Sequence, residues 1–191
     1  MSKIAVVYHS GYGHTEIIAQ HVARGATEAG AETSLIKITA DGAITEADWA
    51  QLNAADAIVF GAPTYMGSVS GPFKMFADAT AKIWFGQGWK DKLAGGFTTS
   101  HSLSGDKLAS LQVMAILAAQ HGMIWVSTGM LPGDGTDHHR DPNMINRLGS
   151  FMGVMGQAEN VSPEQSPPQG DRDTAAQYGK RIADAAKRWA Q

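Results

Sequence analysis

The sequence contains no cysteine among its 191 residues. Disulfide bonds, thiolate metal sites, iron–sulfur clusters and cysteine nucleophiles are therefore excluded together. The N-terminus also lacks a basic segment followed by an apolar core, and no apolar run is long enough to span a membrane. From these absences we expect a cytoplasmic protein with no membrane partner.

A strong excess of charge of either sign is also missing, because 15 Lys and Arg against 18 Asp and Glu give a formal net charge of -3. A nucleic-acid partner bound through a basic face is therefore not expected. The length fits one domain over residues 1–191. Residues 127–171 are rich in Gly, Pro and Asp with little periodicity, which predicts a long irregular segment with a functional or interfacial role.

Short apolar runs alternate with segments of helical periodicity. The runs lie at residues 4–8, 33–38, 57–60, 93–98 and 123–126, and the helical patterns at residues 15–29, 47–52, 73–83, 108–118 and 178–189. This alternation predicts parallel strands joined by right-handed crossovers, with helices on both faces of one sheet. We therefore expect an α/β three-layer sandwich with a five-stranded parallel sheet in the order 2-1-3-4-5.

Polar loops follow the first, third and fourth predicted strands, and they should converge at one edge of the sheet. The first loop consists of Ser10, Gly11, Tyr12, Gly13, His14 and Thr15. Free backbone N–H groups at a helix start bind an anion without Lys or Arg, and neither occurs between Lys3 and Arg24. A Walker loop is excluded because no Gly-Lys-Ser or Gly-Lys-Thr occurs, and a dinucleotide fingerprint lacks its third glycine. A simple helix cap remains the alternative.

The second and third loops supply further candidate contacts. They contain Pro63, Thr64, Tyr65, Met66 and Gly67, and then Thr99, Ser100, His101 and Ser102. Each could be a plain turn, but backbone donors beside an apolar platform are what a flavin ring requires. Convergence of all three loops favours the terminal phosphate of flavin mononucleotide (FMN) over the pyrophosphate of a dinucleotide.

Together these segments resemble the tryptophan-repressor-binding-protein type of NAD(P)H:quinone oxidoreductase, a branch of the flavodoxin-like flavoproteins. The matching segments are residues 10–15, 60–67, 70–71, 84, 92–94, 97–102 and 121–123. The resemblance implies a flavodoxin-like fold that binds the FMN phosphate at residues 10–15 and the ring against residues 63–67. It implies further contacts from residues 99–102 and His121, and two-electron reduction of a quinone with NAD(P)H as co-substrate.

His121 is the catalytic candidate, because a positioned imidazole could stabilise negative charge on a reduced quinone oxygen. A buried histidine at a helix end is the alternative. The overall function also has alternatives: a flavodoxin-like electron-transfer protein, an FMN-binding regulatory protein, or a flavin or azo reductase.

Trp84, Phe85 and Trp89 are predicted to form a surface cluster, since three aromatic residues in one connection indicate an interface. In the family that the chain resembles, this region meets neighbouring subunits, which implies a homotetramer or a homodimer. No metal is expected, because the spacing of the following group fits no standard site. The group is Asp134, Asp137, His138, His139 and Asp141.

Overall fold

The computed structural model describes residues 1–133 and 141–190 of the chain. The strands are β1 (Lys3–Tyr8), β2 (Glu32–Lys37), β3 (Ala57–Tyr65), β4 (Ser68–Val69), β5 (Leu93–Ser100), β6 (Ile124–Trp125) and β7 (Val154–Gln157). The helices are α1 (His14–Glu28), α2 (Glu46–Ala54), α3 (Gly71–Ala79), α4 (Ala81–Phe85), α5 (Lys107–Gln120) and α6 (Gln169–Trp189).

The sheet has the order β2-β1-β3-β5-β6, and the predicted flavodoxin-like order is confirmed. Its long strands are parallel, with Val7 of β1 paired to Ile36 of β2 and to Phe60 of β3. Strands β1, β3 and β5 are buried almost throughout because helices cover both faces of the sheet. All of these strands therefore end at the same edge, where the polar loops leave the sheet.

The fifth position of the sheet is filled by two short strands. Strand β6 pairs with Leu93 and Ala94 at the start of β5, whereas β7 pairs with the second half of β5. The predicted fifth strand thus shortens to two residues, and part of the predicted irregular segment is a strand. Close approach explains this pairing, because a Cβ added at Gly153 would lie 2.4 Å from the carbonyl oxygen of Gly96.

Two other elements differ from prediction. The helix expected at residues 73–83 is divided at Thr80, whose hydroxyl donates to the carbonyl oxygen of Ala77. Strand β3 continues beyond its apolar run to Tyr65, because its last two residues form an antiparallel hairpin with β4. The turn of that hairpin is therefore rigidly attached to the central sheet.

Two hydrophobic layers cover the faces of the sheet. One contains α1 and α6, which touch where a Cβ on Gly25 or Gly179 would lie within 1.9 Å of a carbonyl oxygen of the opposite helix. The other contains Trp89, which is 0% exposed and donates its indole N–H to Asn53. The expected surface position of Trp89 is therefore wrong. No helix in the described ranges is both long and apolar enough to cross a membrane.

Candidate functional site

A cleft of about 630 Å³ opens at the edge of the sheet where β1, β3, β5 and β7 end. Nine of the predicted site residues line it: Tyr12, His14, Thr15, Pro63, Thr64, Tyr65, Thr99, Ser100 and His101. The predicted convergence of three loops is thus what the structure contains. Ser10, Gly11, Gly13, Met66, Gly67 and Ser102 belong to the same loops without lining the cleft.

The loop after β1 leaves several backbone donors free. Ser10 Oγ accepts the N–H groups of Gly13 at 3.1 Å and of Glu16 at 3.2 Å, so this hydroxyl holds the loop together. Within the described parts of the chain, four N–H groups that follow Ser10 have no acceptor; they belong to Gly11, Tyr12, His14 and Thr15. Four free donors at the N-terminus of α1 fit a phosphate group.

The base of this loop is fixed to β1 and β2 through Glu16. Its carboxylate accepts hydrogen bonds from the Tyr8 hydroxyl at 3.1 Å and the Lys37 ammonium at 2.7 Å. Burial, followed by the charge of Glu16, raises the pKa of Tyr8 well above its ordinary value. Tyr8 therefore stays protonated and serves as a donor that orients the first turn of α1.

Buried hydroxyl groups connect the loops across the sheet. Thr15 Oγ1 lies 2.7 Å from Thr99 Oγ1, which joins the start of α1 to the end of β5. Thr64 Oγ1 lies 2.8 Å from Thr98 Oγ1 and equally far from Ser110 Oγ, which joins β3 to β5 and α5. These buried contacts hold the spacing between the loops that line the cleft.

Two tyrosines form an aromatic wall at the mouth of the cleft. Tyr12 is 78% exposed and meets Tyr65 edge to face, with ring centroids 6.3 Å apart. The Tyr65 hydroxyl lies against Gly11, where an added Cβ would be 2.7 Å away, so a side chain at position 11 would displace the end of Tyr65. Burial raises the pKa of Tyr65. Neutral aromatic rings of this kind suit a flat heterocycle.

The three predicted loops form three walls of the cleft, and a fourth wall consists of residues that were not predicted from the sequence. They are Ala158, Glu159, Asn160 and Val161, which directly follow β7. The Ala158 N–H donates to the Ser100 carbonyl at 2.8 Å, and His14 Nε2 lies 2.9 Å from the Val161 carbonyl oxygen. The only signal in the sequence is a polar stretch after the short run 154–157, which is too weak to identify a strand end.

Arg172 of α6 holds the segment beyond this wall. Its guanidinium donates to the carbonyl oxygens of Pro163 at 3.1 Å, Glu164 at 2.7 Å and Pro167 at 2.7 Å. Pro163 in turn packs against Gly13, where an added Cβ would be 2.5 Å from the proline ring. The C-terminal helix therefore braces the loop after β1 from outside.

His121 follows the last residue of α5 and does not line this cleft. The carbonyl oxygen of the next residue, Gly122, accepts the N–H of Asp91, which lies just before the start of β5. His121 is 4% exposed, its Nε2 is 2.8 Å from Thr80 Oγ1, and its ring packs on Trp89. Burial lowers its pKa. This corrects the expected place of His121 beside the flavin, because α5 carries it to the opposite edge of the sheet in its own chain.

The acidic and histidine group considered for metal binding falls largely on residues 134–140, which lie outside the described residues. They include Asp134, Asp137, His138 and His139. The remaining member, Asp141, is described, and its carboxylate accepts the N–H of Asn143 at 2.8 Å. Asp141 thus has the role of a turn residue.

Comparisons with known proteins agree with this geometry. A family model described as NADPH-dependent FMN reductase matches residues 2–136. The chain is 49% identical over 183 residues to Flavodoxin FldP of Pseudomonas aeruginosa, with 96% of each protein covered. It is 30% identical over 207 residues to NAD(P)H dehydrogenase (quinone) of Archaeoglobus fulgidus, covering 98% of this chain and 99% of that protein.

Among solved structures, the flavodoxin, WrbA-like protein from Agrobacterium tumefaciens is similar with a TM-score of 0.80 and 44% identity. The match covers 98% of this chain and 99% of that one. The likeness therefore extends beyond the cleft to nearly the whole sheet and its helices.

Proposed function

Because the chain belongs to the NADPH-dependent FMN reductase family, we propose that it binds FMN in the cleft and acts as an NAD(P)H:quinone oxidoreductase. The observation that carries the proposal is the loop after β1, with four N–H groups free at a helix N-terminus beside an aromatic wall. An anion gains hydrogen bonds and a favourable helix dipole there. The cleft therefore suits a cofactor that carries a single phosphate and a flat ring system, as FMN does.

Different residues of the cleft would bind the phosphate and the ring of FMN. Residues 10–15 would hold the phosphate through backbone donors, with Thr15 and Thr99 adding hydroxyl groups at the base of the cleft. Pro63 and Tyr65 would position the ring, and Thr99, Ser100 and His101 would border its polar edge. When bound, FMN supplies two-electron transfer between a nicotinamide and an acceptor.

The mouth of the cleft suits alternate binding of two substrates. Tyr12 is 78% exposed and Tyr65 is 39% exposed, so one side of the aromatic wall faces solvent. A nicotinamide ring and then a quinone ring could each pack on that side, because both are flat and largely apolar. The name of the Archaeoglobus fulgidus relative supports a quinone as acceptor.

The test begins with the visible spectrum of the purified protein, recorded with and without added FMN. Oxidation of NADH and of NADPH by benzoquinone is then followed with the FMN-loaded protein. We expect a bound-flavin spectrum and saturable quinone reduction. Failure of the loaded protein to accelerate either oxidation would refute the quinone reductase. Free FMN and an azo dye, tested as acceptors, distinguish a flavin or azo reductase.

A second candidate is an electron-transfer flavodoxin, favoured by the 49% identity to a protein named Flavodoxin FldP. In that case the same cleft would hold FMN, and the exposed aromatic wall would face a protein partner. The rate at which NAD(P)H reduces benzoquinone distinguishes the two functions. A carrier would retain FMN and exchange electrons with a redox protein, while leaving NAD(P)H and benzoquinone nearly unreacted.

We also propose that the protein forms a homodimer or homotetramer. Phe85 is 85% exposed and Trp84 is 44% exposed, on a face distant from the cleft. Two large exposed aromatic side chains at neighbouring positions of the chain favour an interface. His121 lines a shallow cleft beside Trp84, so only a second copy seated on that face would bring it to a flavin.

A further inference from the structure

Lys107 is a fully buried cation directly behind the candidate cofactor site. It is the first residue of α5 and is 0% exposed. Its ammonium donates to Ser100 Oγ at 2.9 Å and to the Ser102 carbonyl at 2.7 Å. Ser100 itself lines the cleft. The positive charge is therefore one side chain behind the cleft wall.

The charged groups that act on Lys107 come from two other parts of the chain. They are Asp171 of α6 and Arg147, which lies between β6 and β7. Arg147 Nε is 2.8 Å from Asp171 Oδ1, and both side chains are buried. This ion pair is neutral as a unit when Asp171 is ionised. Lys107 itself donates to two neutral oxygens, so within the described residues no carboxylate lies at hydrogen-bond distance from its positive charge.

This position is costly for the folded protein. Burial removes water from the ammonium, and the N-terminus of α5 adds the positive end of a helix dipole. Burial is the main cause that lowers the pKa of Lys107 to about 8. Unfavourable charges retained beside a ligand cleft are typical of functional sites. The structure thus suggests that the charge acts on what the cleft binds.

We propose that Lys107 is a positioning residue that raises the reduction potential of FMN by holding a positive charge behind Ser100. The inference rests on the FMN site proposed above. Two-electron reduction with uptake of one proton adds one negative charge to the flavin ring, the electrons coming from the nicotinamide. A fixed cation in a water-poor wall stabilises that added charge more than it stabilises the neutral oxidised ring.

The test compares FMN-loaded wild type with Lys107→Met and Lys107→Gln. Both variants remove the charge, but glutamine keeps a donor for Ser100 and Ser102. Dithionite titration against a reference dye gives the two-electron potential at about pH 7. We expect both variants to hold reduced FMN at least about tenfold less tightly, relative to oxidised FMN, which lowers the potential by about 30 mV.

Lys180→Met is the matched control, because Lys180 is exposed on α6. Its potential should equal that of wild type. An equal potential in wild type and both Lys107 variants would overturn the inference while leaving the FMN site intact. Failure of wild type to bind FMN would overturn the proposed function and this inference together.

Wild type alone provides a readout that needs no variant. Because burial lowers the pKa of Lys107 to about 8, we expect the oxidised protein to lose the Lys107 proton above about this pH and to take up a second proton on that amine when it is reduced. The potential should therefore fall more steeply with pH above this value than below it. A slope that stays constant across this range would contradict the proposal even if both variants failed to fold.

Discussion

At the scale of single residues, Ser10 illustrates how one hydroxyl decides what a loop can bind. By accepting the N–H groups of Gly13 and Glu16, it holds the loop in a conformation in which four neighbouring N–H groups have no acceptor among the described residues. The side chain therefore organises the anion site through the backbone. Its removal should weaken the cofactor site without removing a direct ligand.

Ser10→Ala is the corresponding prediction. Two hydrogen bonds are lost, which should lower the free energy of unfolding by about 1 to 2 kcal/mol. The FMN dissociation constant should rise by about tenfold, since the donors are no longer held in place. Urea unfolding and fluorescence titration with FMN measure the two effects. Ser127→Ala, at an exposed position, is the control and should change neither.

The buried ammonium of Lys107 makes a second prediction, on stability. Its folded-state pKa of about 8 lies below the ordinary value of 10.5, so between these values the unfolded chain binds more protons than the folded chain. The free energy of unfolding should therefore rise with pH across this window, by an amount on the order of 3 kcal/mol.

Lys107→Met lacks this titration and is the natural reference. Its advantage in stability over wild type should be greatest below about pH 8 and should shrink as the pH approaches about 10. Urea unfolding of both proteins at several pH values gives the comparison. Two stability curves that run parallel over the whole range would show that the charge of Lys107 carries no penalty in the folded state.

At the scale of elements, the sequence predicted the three central parallel strands, β1, β3 and β5, well because each is a short apolar run buried on both faces. It could not predict features that depend on tertiary contact. Strand β7 has no strong apolar run and forms because β5 offers it a free edge. The division of the helix at Thr80 likewise depends on hydrogen bonds to Ala77 and to distant His121.

The β3–β4 hairpin carries a prediction of this kind. Its two turn residues, Met66 and Gly67, both have left-handed backbones, with φ of 49° and 82°. Asparagine tolerates this conformation better than methionine, so Met66→Asn should stabilise the protein by about 0.5 to 1 kcal/mol. Gly67→Ala should instead destabilise the protein, because alanine is strained at a positive φ. Thermal unfolding decides the matter, and a lower melting temperature for Met66→Asn would contradict this account.

Arg172 supplies three of the hydrogen bonds that hold the segment between β7 and α6. Arg172→Met removes three hydrogen bonds to carbonyl oxygens, which should cost about 2 kcal/mol in unfolding free energy. Because this segment supports Gly13 and the fourth wall, the FMN dissociation constant should also rise by about tenfold. Arg188→Met, exposed on the same helix, is the control. Unaltered FMN binding would show that the segment does not brace the site.

At the scale of the whole molecule, the candidate site was predictable because strand order alone decides which loops meet. The family resemblance is confirmed, and nine predicted residues line one cleft. His121 and Trp89 were misplaced for a shared reason. The local sequence identifies an aromatic or titratable residue, but the packing of helices on the sheet determines whether that residue is buried and at which end of the strands it lies.

Assembly is the prediction at this scale. A single chain has a mass of 20.2 kDa, and wild type should elute from a sizing column at no less than twice that mass. Phe85→Glu places a charge on the proposed interface, so its elution should shift toward the single-chain mass. Leu131→Glu, at another exposed apolar position, is the control. Elution of wild type as one chain at micromolar concentration would refute the interface.

The contact of α1 with α6 through Gly25 and Gly179 has a consequence for biosynthesis. Residues 10–15 leave the ribosome early, yet the helix that supports them from behind is translated roughly ten seconds or more later, at 5–20 residues per second. A nascent chain that stops before residue 169 should therefore contain the phosphate loop without a formed site. We therefore expect the protein to bind its cofactor only after the C-terminal helix has left the ribosome.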